Sequence, residues 1–220
     1  METAAPRPGL FVTLEGGEGA GKSTLIRALA ERLTKAAVAH VVTREPGGTP
    51  GAEAIRALLV TGAADRWSAI SELCLFHAAR GDHLERLIRP ALARGDVVLC
   101  DRFSDSTRAY QGRAGGAGRE AVEALDRLVV GETQPDLTLI LDLPPETGLA
   151  RAAARHDGEA RFEGKAIAFH AALRAAYLAL AAETPERRVV IDASRSAELV
   201  AADAWTHVRA RLSAKGLHAP

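Results

Sequence analysis

The chain has 220 residues, 47% of them apolar and 25% charged, and its 28 basic residues balance 28 acidic ones. That size suits one domain with a central sheet and helices on both faces, and zero formal net charge argues against a nucleic-acid binder held by bulk charge. No apolar run approaches the roughly 20 residues that span a bilayer, and the start is short, polar and proline-containing, so a cytoplasmic protein without membrane contact is expected. Cys74 and Cys100 read as small core residues, not as a disulfide or metal framework.

Residues 1–9 read as a loose tail, 10–214 as a single domain and 215–220 as a second tail. The apolar run Leu10 to Leu14 predicts a buried parallel strand. It leads into Gly16-x-x-x-x-Gly21-Lys22-Ser23, a full match to the phosphate-binding P-loop pattern, and then into a helix from Lys22 to about Val38. His40 to Thr43 is a short strand ending in the polar turn Arg44 to Gly48, followed by a helix from Ala52 to Val60. A long helix over about Ser68 to Arg94 carries Ile70, Leu73, His77, Leu84, Leu87, Ile88 and Ala91 on one stripe. Val97 to Cys100 is a buried strand ending in Asp101 and Arg102. The next helix, about Asp105 to Val130, is loosened between Gly112 and Gly118. Leu137 to Leu143 is a strand, Glu146 to Arg155 and Phe162 to Ala182 are helices, Arg188 to Ile191 a last strand, and Ala197 to Ser213 a terminal helix. Strands alternating with helices predict a parallel sheet, with ligands at the carboxyl ends of its strands.

The residue types at those ends carry the chemistry. Gly16, Gly17, Gly19 and Gly21 lack Cβ atoms, so backbone N–H groups can curl around phosphate, aided by the helix dipole at Lys22. Lys22 can reach the β- and γ-phosphates, and the Ser23 hydroxyl can ligate Mg²⁺. Asp101 can orient the metal beside it, or it is a solvated strand-end residue. Arg44 and Arg102 are forks for phosphate, or surface ion pairs. Phe76 and Arg80, four apart, offer a ring and a guanidinium to a flat base, or else one is core and the other snorkels. Arg151, Arg155 and Arg161 flank a Gly-containing turn and read as a lid or as a solvated basic face. Glu18 places negative charge inside a phosphate loop, which points to a second job. The chain has no Asn, so the Asn-Lys-x-Asp motif of a GTPase switch cannot exist.

Taken together, these residues resemble thymidylate kinase, from about Leu10 to Asp192. The resemblance rests on EGGEGAGKS (Glu15 to Ser23), TREPGGT (Thr43 to Thr49), LFHAAR (Leu75 to Arg80), DRFSDST (Asp101 to Thr107), AYQG (Ala109 to Gly112) and PDLTLILD (Pro135 to Asp142). It implies an α/β P-loop nucleoside-monophosphate-kinase fold with five parallel strands and a short Arg-rich lid at about 150–163. It implies phosphorylation of dTMP by ATP with Mg²⁺, in a homodimer. Gly16, Gly17, Glu18, Gly19, Ala20, Gly21, Lys22, Ser23 and Thr24 would form the ATP loop, with Ser23 and Asp101 at the metal. The catalytic set would be Lys22, Asp101, Arg102, Arg151, Arg155 and Arg161. Glu18, Arg44, Phe76, Arg80, Arg102, Thr107, Tyr110 and Gln111 would hold dTMP. Phe76 would stack on thymine, Arg80 bond a carbonyl oxygen of the base, and Tyr110 sit against the deoxyribose. The chain departs from the family pattern at His77, Phe103 and Thr107. Another nucleoside or nucleotide kinase is the nearest alternative.

Overall fold

A computed structural model describes residues 9–63, 65–154 and 166–217. Five strands, β1 (Leu10–Gly16), β2 (His40–Arg44), β3 (Val97–Asp101), β4 (Leu137–Asp142) and β5 (Arg188–Asp192), form one parallel sheet in the order β2-β3-β1-β4-β5. The expected doubly covered five-stranded sheet is therefore what the chain forms. Because both faces are buried, the central strands are almost continuously apolar instead of alternating.

On one face, α1 (Lys22–Lys35) and the terminal helix α9 (Ala197–Ala214) pack on Leu10, Val12, Leu14, Leu99 and Leu139. Spacing explains α1: Leu25, Ile26, Leu29 and Leu33 fall on one side and are buried. Each contributes about 1.5–3 kcal/mol by leaving water. On the other face, Phe11, Val98 and Cys100 meet Leu84 and Ile88, while Ile140 meets Leu173 and Tyr177 of α8 (Ile167–Glu183).

The predicted long helix is a continuous rod: α3 (Ala69–His83), a π-helical turn (Leu84–Ile88) and α4 (Arg89–Ala93). Ser68 caps it by accepting from the Ser71 N–H, just as Thr49 caps α2 (Pro50–Val60) through Ala52. The segment after β3 is more broken than the sequence pattern shows. It runs as α5 (Ser104–Thr107), a π-helical stretch (Arg108–Ala114) and α6 (Arg119–Val129), with the glycine-rich break between them. After β4, α7 (Pro145–Ala153) closes the described part of the chain before residue 155.

Two expectations for α3 are corrected. Cys74 is exposed, not core, and Ile70 at the head of the apolar stripe is exposed as well. Both precede the point where the rod meets the sheet; Leu84, Ile88 and Ala91, further along, are the residues that reach it. Cys100 is buried as expected. At the chain ends, Gly9 N–H donates to Leu92 O, and Lys215 Nζ bonds Gly9 O at 2.8 Å and Asp136 at 2.7 Å, so these residues pack onto the domain.

The register decides where chemistry is assembled. Leu14 of β1 and Arg44 of β2 both pair with Asp101 of β3. Three strands therefore end at one level, and the phosphate loop, the Arg44 turn and the Asp101–Arg102 turn open onto one cleft.

Candidate active site

The cleft has a volume of about 430 Å³. Its floor is the loop from Glu18 to Ser23. Arg44, Asp101 and Arg102 stand at the strand ends, and Phe76, Arg80, Thr107, Tyr110 and Gln111 form the far wall. The structure thus brings together every described residue expected at the acceptor site. Arg151 lies on α7 and donates to Ala193 O at 3.3 Å. Arg155, Arg161 and most of the expected lid lie outside the described residues.

At the floor, Gly21 has φ of 94°, the left-handed conformation that turns the chain into α1. Lys22 Nζ donates to Gly16 O (3.1 Å) and Gly17 O (2.8 Å), which holds the ammonium over the loop. Burial and the facing charge of Arg102 bring its pKa down to about 8. Thr24, the third residue of α1, donates its N–H to Gly21 O. Ser23 Oγ donates to Asp101 Oδ2 at 3.2 Å in an exposed position. Among the described residues no group of three or more His, Cys, Asp or Glu could hold a metal. A hydroxyl and one carboxylate open to solvent do fit Mg²⁺, a hard cation that keeps water and takes phosphate oxygens as ligands.

At the far wall Arg80 is neither a surface snorkel nor an apolar filler. It is 2% exposed, with Nε on Glu45 Oε2 (2.7 Å), Nη2 on Thr107 Oγ1 (2.9 Å) and its plane 5.0 Å from the centre of the Phe103 ring. Glu45 in turn faces His83 at 3.0 Å, and His83 bonds Thr43 at 2.7 Å. Asp126 of α6 stands 3.8 Å from Arg80 Nη1 and 3.5 Å from His77, which is buried packing as expected. Thr107 accepts from Arg80, so its own O–H remains to donate. Gln111 donates to Glu72 at 2.9 Å, leaving its carbonyl oxygen as an acceptor.

Between floor and wall lies Arg102. Its φ is 68°, unusual for a residue with a side chain, and the turn is fastened on both sides. Arg102 N–H donates to Leu14 O (2.9 Å) and Phe103 N–H to Glu15 Oε1 (2.8 Å). The guanidinium reaches Gly16 O, Ser106 and Glu18, and lies 5.1 Å from the centre of the Tyr110 ring. Glu18 Oε1 also accepts from the Tyr110 hydroxyl at 2.5 Å. Burial opposes ionisation of Glu18, but His170, Arg102 and Lys22 together hold its carboxyl well below the usual range. Burial pushes the Tyr110 phenol up, so it stays a donor. Arg44 is the exception: its side chain is 55% exposed and paired with Glu53 at 3.2 Å, close to the surface ion pair the sequence left open, although it stands on the cleft wall.

Sequence reasoning missed the residues that hold these groups. Glu15, Glu45, His170 and Tyr177 carried no assigned role. Glu15 accepts from Phe103 N–H and the Ser106 hydroxyl (2.5 Å), and burial, with the charge of Asp105, pushes it up to about 7. Its signal was available, as an acid inside an apolar strand. Gly148 was also missed. A Cβ on Gly19 would lie 1.9 Å from Gly148 O, and one on Gly148 would lie 2.5 Å from Glu18 O, so the loop crest rests directly on α7.

The family model described as thymidylate kinase matches residues 14–204. A thymidylate kinase from Caulobacter vibrioides is 62% identical over 194 residues, covering 88% of this chain and 93% of that protein. One from Rhodopseudomonas palustris is 56% identical over 207 residues, covering 93% and 90%. The crystal structure of thymidylate kinase from Ehrlichia chaffeensis superposes with a TM-score of 0.74 at 31% identity, covering 91% of this chain and all of that one. With a P-loop and a wall bearing Phe76 and Arg80 lining one cleft, and with matches of this extent, the chain belongs to the thymidylate kinase family.

Proposed function

We propose that the chain transfers the γ-phosphoryl group of ATP to dTMP, giving dTDP and ADP, as a cytoplasmic step in dTTP synthesis for DNA replication. One observation carries the reading: Lys22 and Ser23 at one end, and Phe76, Arg80, Thr107 and Tyr110 at the other, line a single cleft. Two nucleotides meeting end to end need that arrangement, and family membership supports it.

The reaction asks for alignment and charge neutralisation more than covalent help. A phosphate oxygen of dTMP forms the new bond to the γ-phosphorus while the bond to the β–γ bridging oxygen breaks. The attacking oxygen is already anionic and needs no strong base. Phe76 stacks on thymine and Arg80 and Thr107 bond its edge. Gln111 lines the base pocket, and Tyr110 packs against the deoxyribose. Arg44 and Arg102 grip the acceptor phosphate, and Glu18 holds Tyr110 and Arg102 in place. Gly16 to Thr24 wrap the donor phosphates, and Lys22 stabilises charge on the moving group. Ser23 and Asp101 would hold Mg²⁺, which when bound neutralises the β- and γ-oxygens. In a domain spanning 10–214, Arg151, Arg155 and Arg161 would serve a lid at about 150–163, whose described part ends at residue 154. A homodimer fits the exposure of Ile70 and Leu128 on α3 and α6, which pack together.

The test is coupled ADP release with dTMP, dUMP, dGMP, dCMP and thymidine side by side. The reading expects turnover to be fastest with dTMP. Turnover with dGMP or thymidine but not dTMP would replace it with a kinase for another acceptor.

A further inference from the structure

His170 projects from α8 behind the crest of the phosphate loop. The ring is buried, its Nδ1 lies 3.4 Å from Glu18 Oε2, and the Phe169 ring packs edge-on at 5.5 Å. Its Nε2 has no hydrogen-bond partner among the described residues, and neither has Glu18 Oε2, which Nδ1 approaches at 3.4 Å without closing a hydrogen bond. A buried imidazole with one bare nitrogen is a costly placement for packing alone. A proton on Nδ1 would point a donor at that carboxylate oxygen, so a small turn of either side chain pairs two buried polar atoms at once.

Glu18 is held from opposite sides. Oε1 takes the Tyr110 hydroxyl and Arg102, and Oε2 faces His170. Its main chain is fixed by contact with Gly148. The other polar groups on that side of α8 have partners of their own. Arg174 is bidentate on Asp142 at 2.6 and 2.8 Å, and the Tyr177 hydroxyl meets Ser106 at 2.9 Å. His170 is therefore the side chain of α8 placed to set the torsion of the Glu18 carboxylate.

We propose that His170 is a positioning residue: its Nδ1–H turns Glu18 so that Oε1 sets Tyr110 and Arg102 against the sugar and phosphate of the acceptor nucleotide. This rests on the cleft being the dTMP site. Lys22 and Ser23 bond elsewhere, to loop carbonyls and Asp101, so the donor side should be insensitive.

The experiment is steady-state kinetics of His170→Phe, His170→Asn and His170→Gln, after the unaltered chain is shown to phosphorylate dTMP. Failure at that first step overturns the site reading and is distinct from failure of this one. Phe keeps an aromatic ring without nitrogens, an Asn amide reaches where Nδ1 sits, and a Gln amide reaches where Nε2 sits. His170→Phe is expected to raise the KM for dTMP about tenfold, the worth of a hydrogen bond to a charged group. The KM for ATP should stay within about twofold. Asn should recover most of the loss and Gln should not. In a Glu18→Gln background, His170→Phe should add nothing. An unchanged KM for dTMP, equal rises in both KM values, rescue by Gln as well as Asn, or additivity with Glu18→Gln would each overturn the proposal. If the Phe variant does not fold, the contrast between Asn and Gln decides.

Discussion

Arg80 and Arg44 stand on walls of the same cleft, yet Arg80 is 2% exposed and shared between Glu45 and Thr107, whereas the Arg44 side chain is 55% exposed and paired with Glu53. The far wall of the cleft is tied together by its own side chains. Its guanidinium, Arg80, sits in a buried network that runs through Glu45 to His83 and Thr43, with Asp126 alongside. The phosphate end keeps Lys22 and Arg102 pinned but is open at two points, the exposed Ser23–Asp101 contact and Arg44. Discrimination of a base needs fixed donors, because an unpaired buried group penalises the wrong edge. Polyphosphate and hydrated Mg²⁺ need charge that can follow a reacting group. The difference predicts that substitutions at the far wall damage stability and affinity together, while those at the phosphate end damage binding or turnover and leave stability nearly unchanged.

Lys22→Ala should give the largest effect, a loss of about a thousandfold or more in kcat, since it removes the cation proposed to stabilise charge on the moving group. Thermal unfolding should change little. A steady-state ATP–dTMP assay beside a melting curve checks both; near-normal turnover would break the scheme. Arg80→Ala should cost about 3–5 kcal/mol of stability by stranding Glu45, and should raise the KM for dTMP as well. Denaturant titration and kinetics on one preparation measure the two together. Arg44→Ala should raise the KM for dTMP with under about 1 kcal/mol of lost stability, because an exposed ion pair contributes little. If it destabilises as much as Arg80→Ala, the contrast between the two ends is wrong.

Two pH effects sharpen the comparison. Lys22 is brought down to about 8, so kcat/KM for ATP should fall as pH rises above 8, while the KM for dTMP follows more weakly. Glu15 is raised to about 7 from 4.5, so the folded state binds its proton more tightly than the unfolded chain does. Its favourable contribution is complete below pH 4.5 and is lost as pH rises to about 7, on the order of 3 kcal/mol. Glu15→Gln should flatten the melting temperature over that window. An unchanged slope would remove Glu15 as the titrating group.

Much of this was legible in the sequence. The strand–loop–helix context of Lys22, and the parallel sheet that follows from alternating elements, came from periodicity and glycine spacing. The wall residues can be grouped from the sequence, because Phe76 and Arg80 share a helix face and Thr107, Tyr110 and Gln111 follow one strand end, and all five line the one cleft. What spacing could not reveal was depth. Arg80 reads as a solvent-seeking cation until Glu45, 35 positions away, closes on it. Cys74 reads as core until the rod is seen to reach the sheet only past Leu84. His170 and Gly148 matter through contacts with the phosphate loop more than a hundred residues earlier, and no local pattern marks such a contact.

The most direct test of the end-to-end cleft is a crystal structure with a bisubstrate mimic that joins thymidine to ATP through its phosphates. The account predicts the thymine ring against Phe76 and within hydrogen-bonding reach of Arg80, with the phosphates wrapped by Gly16 to Ser23 and touching Lys22 Nζ. A pyrimidine bound away from Phe76 and Arg80, or phosphates that leave Lys22 untouched, would contradict it.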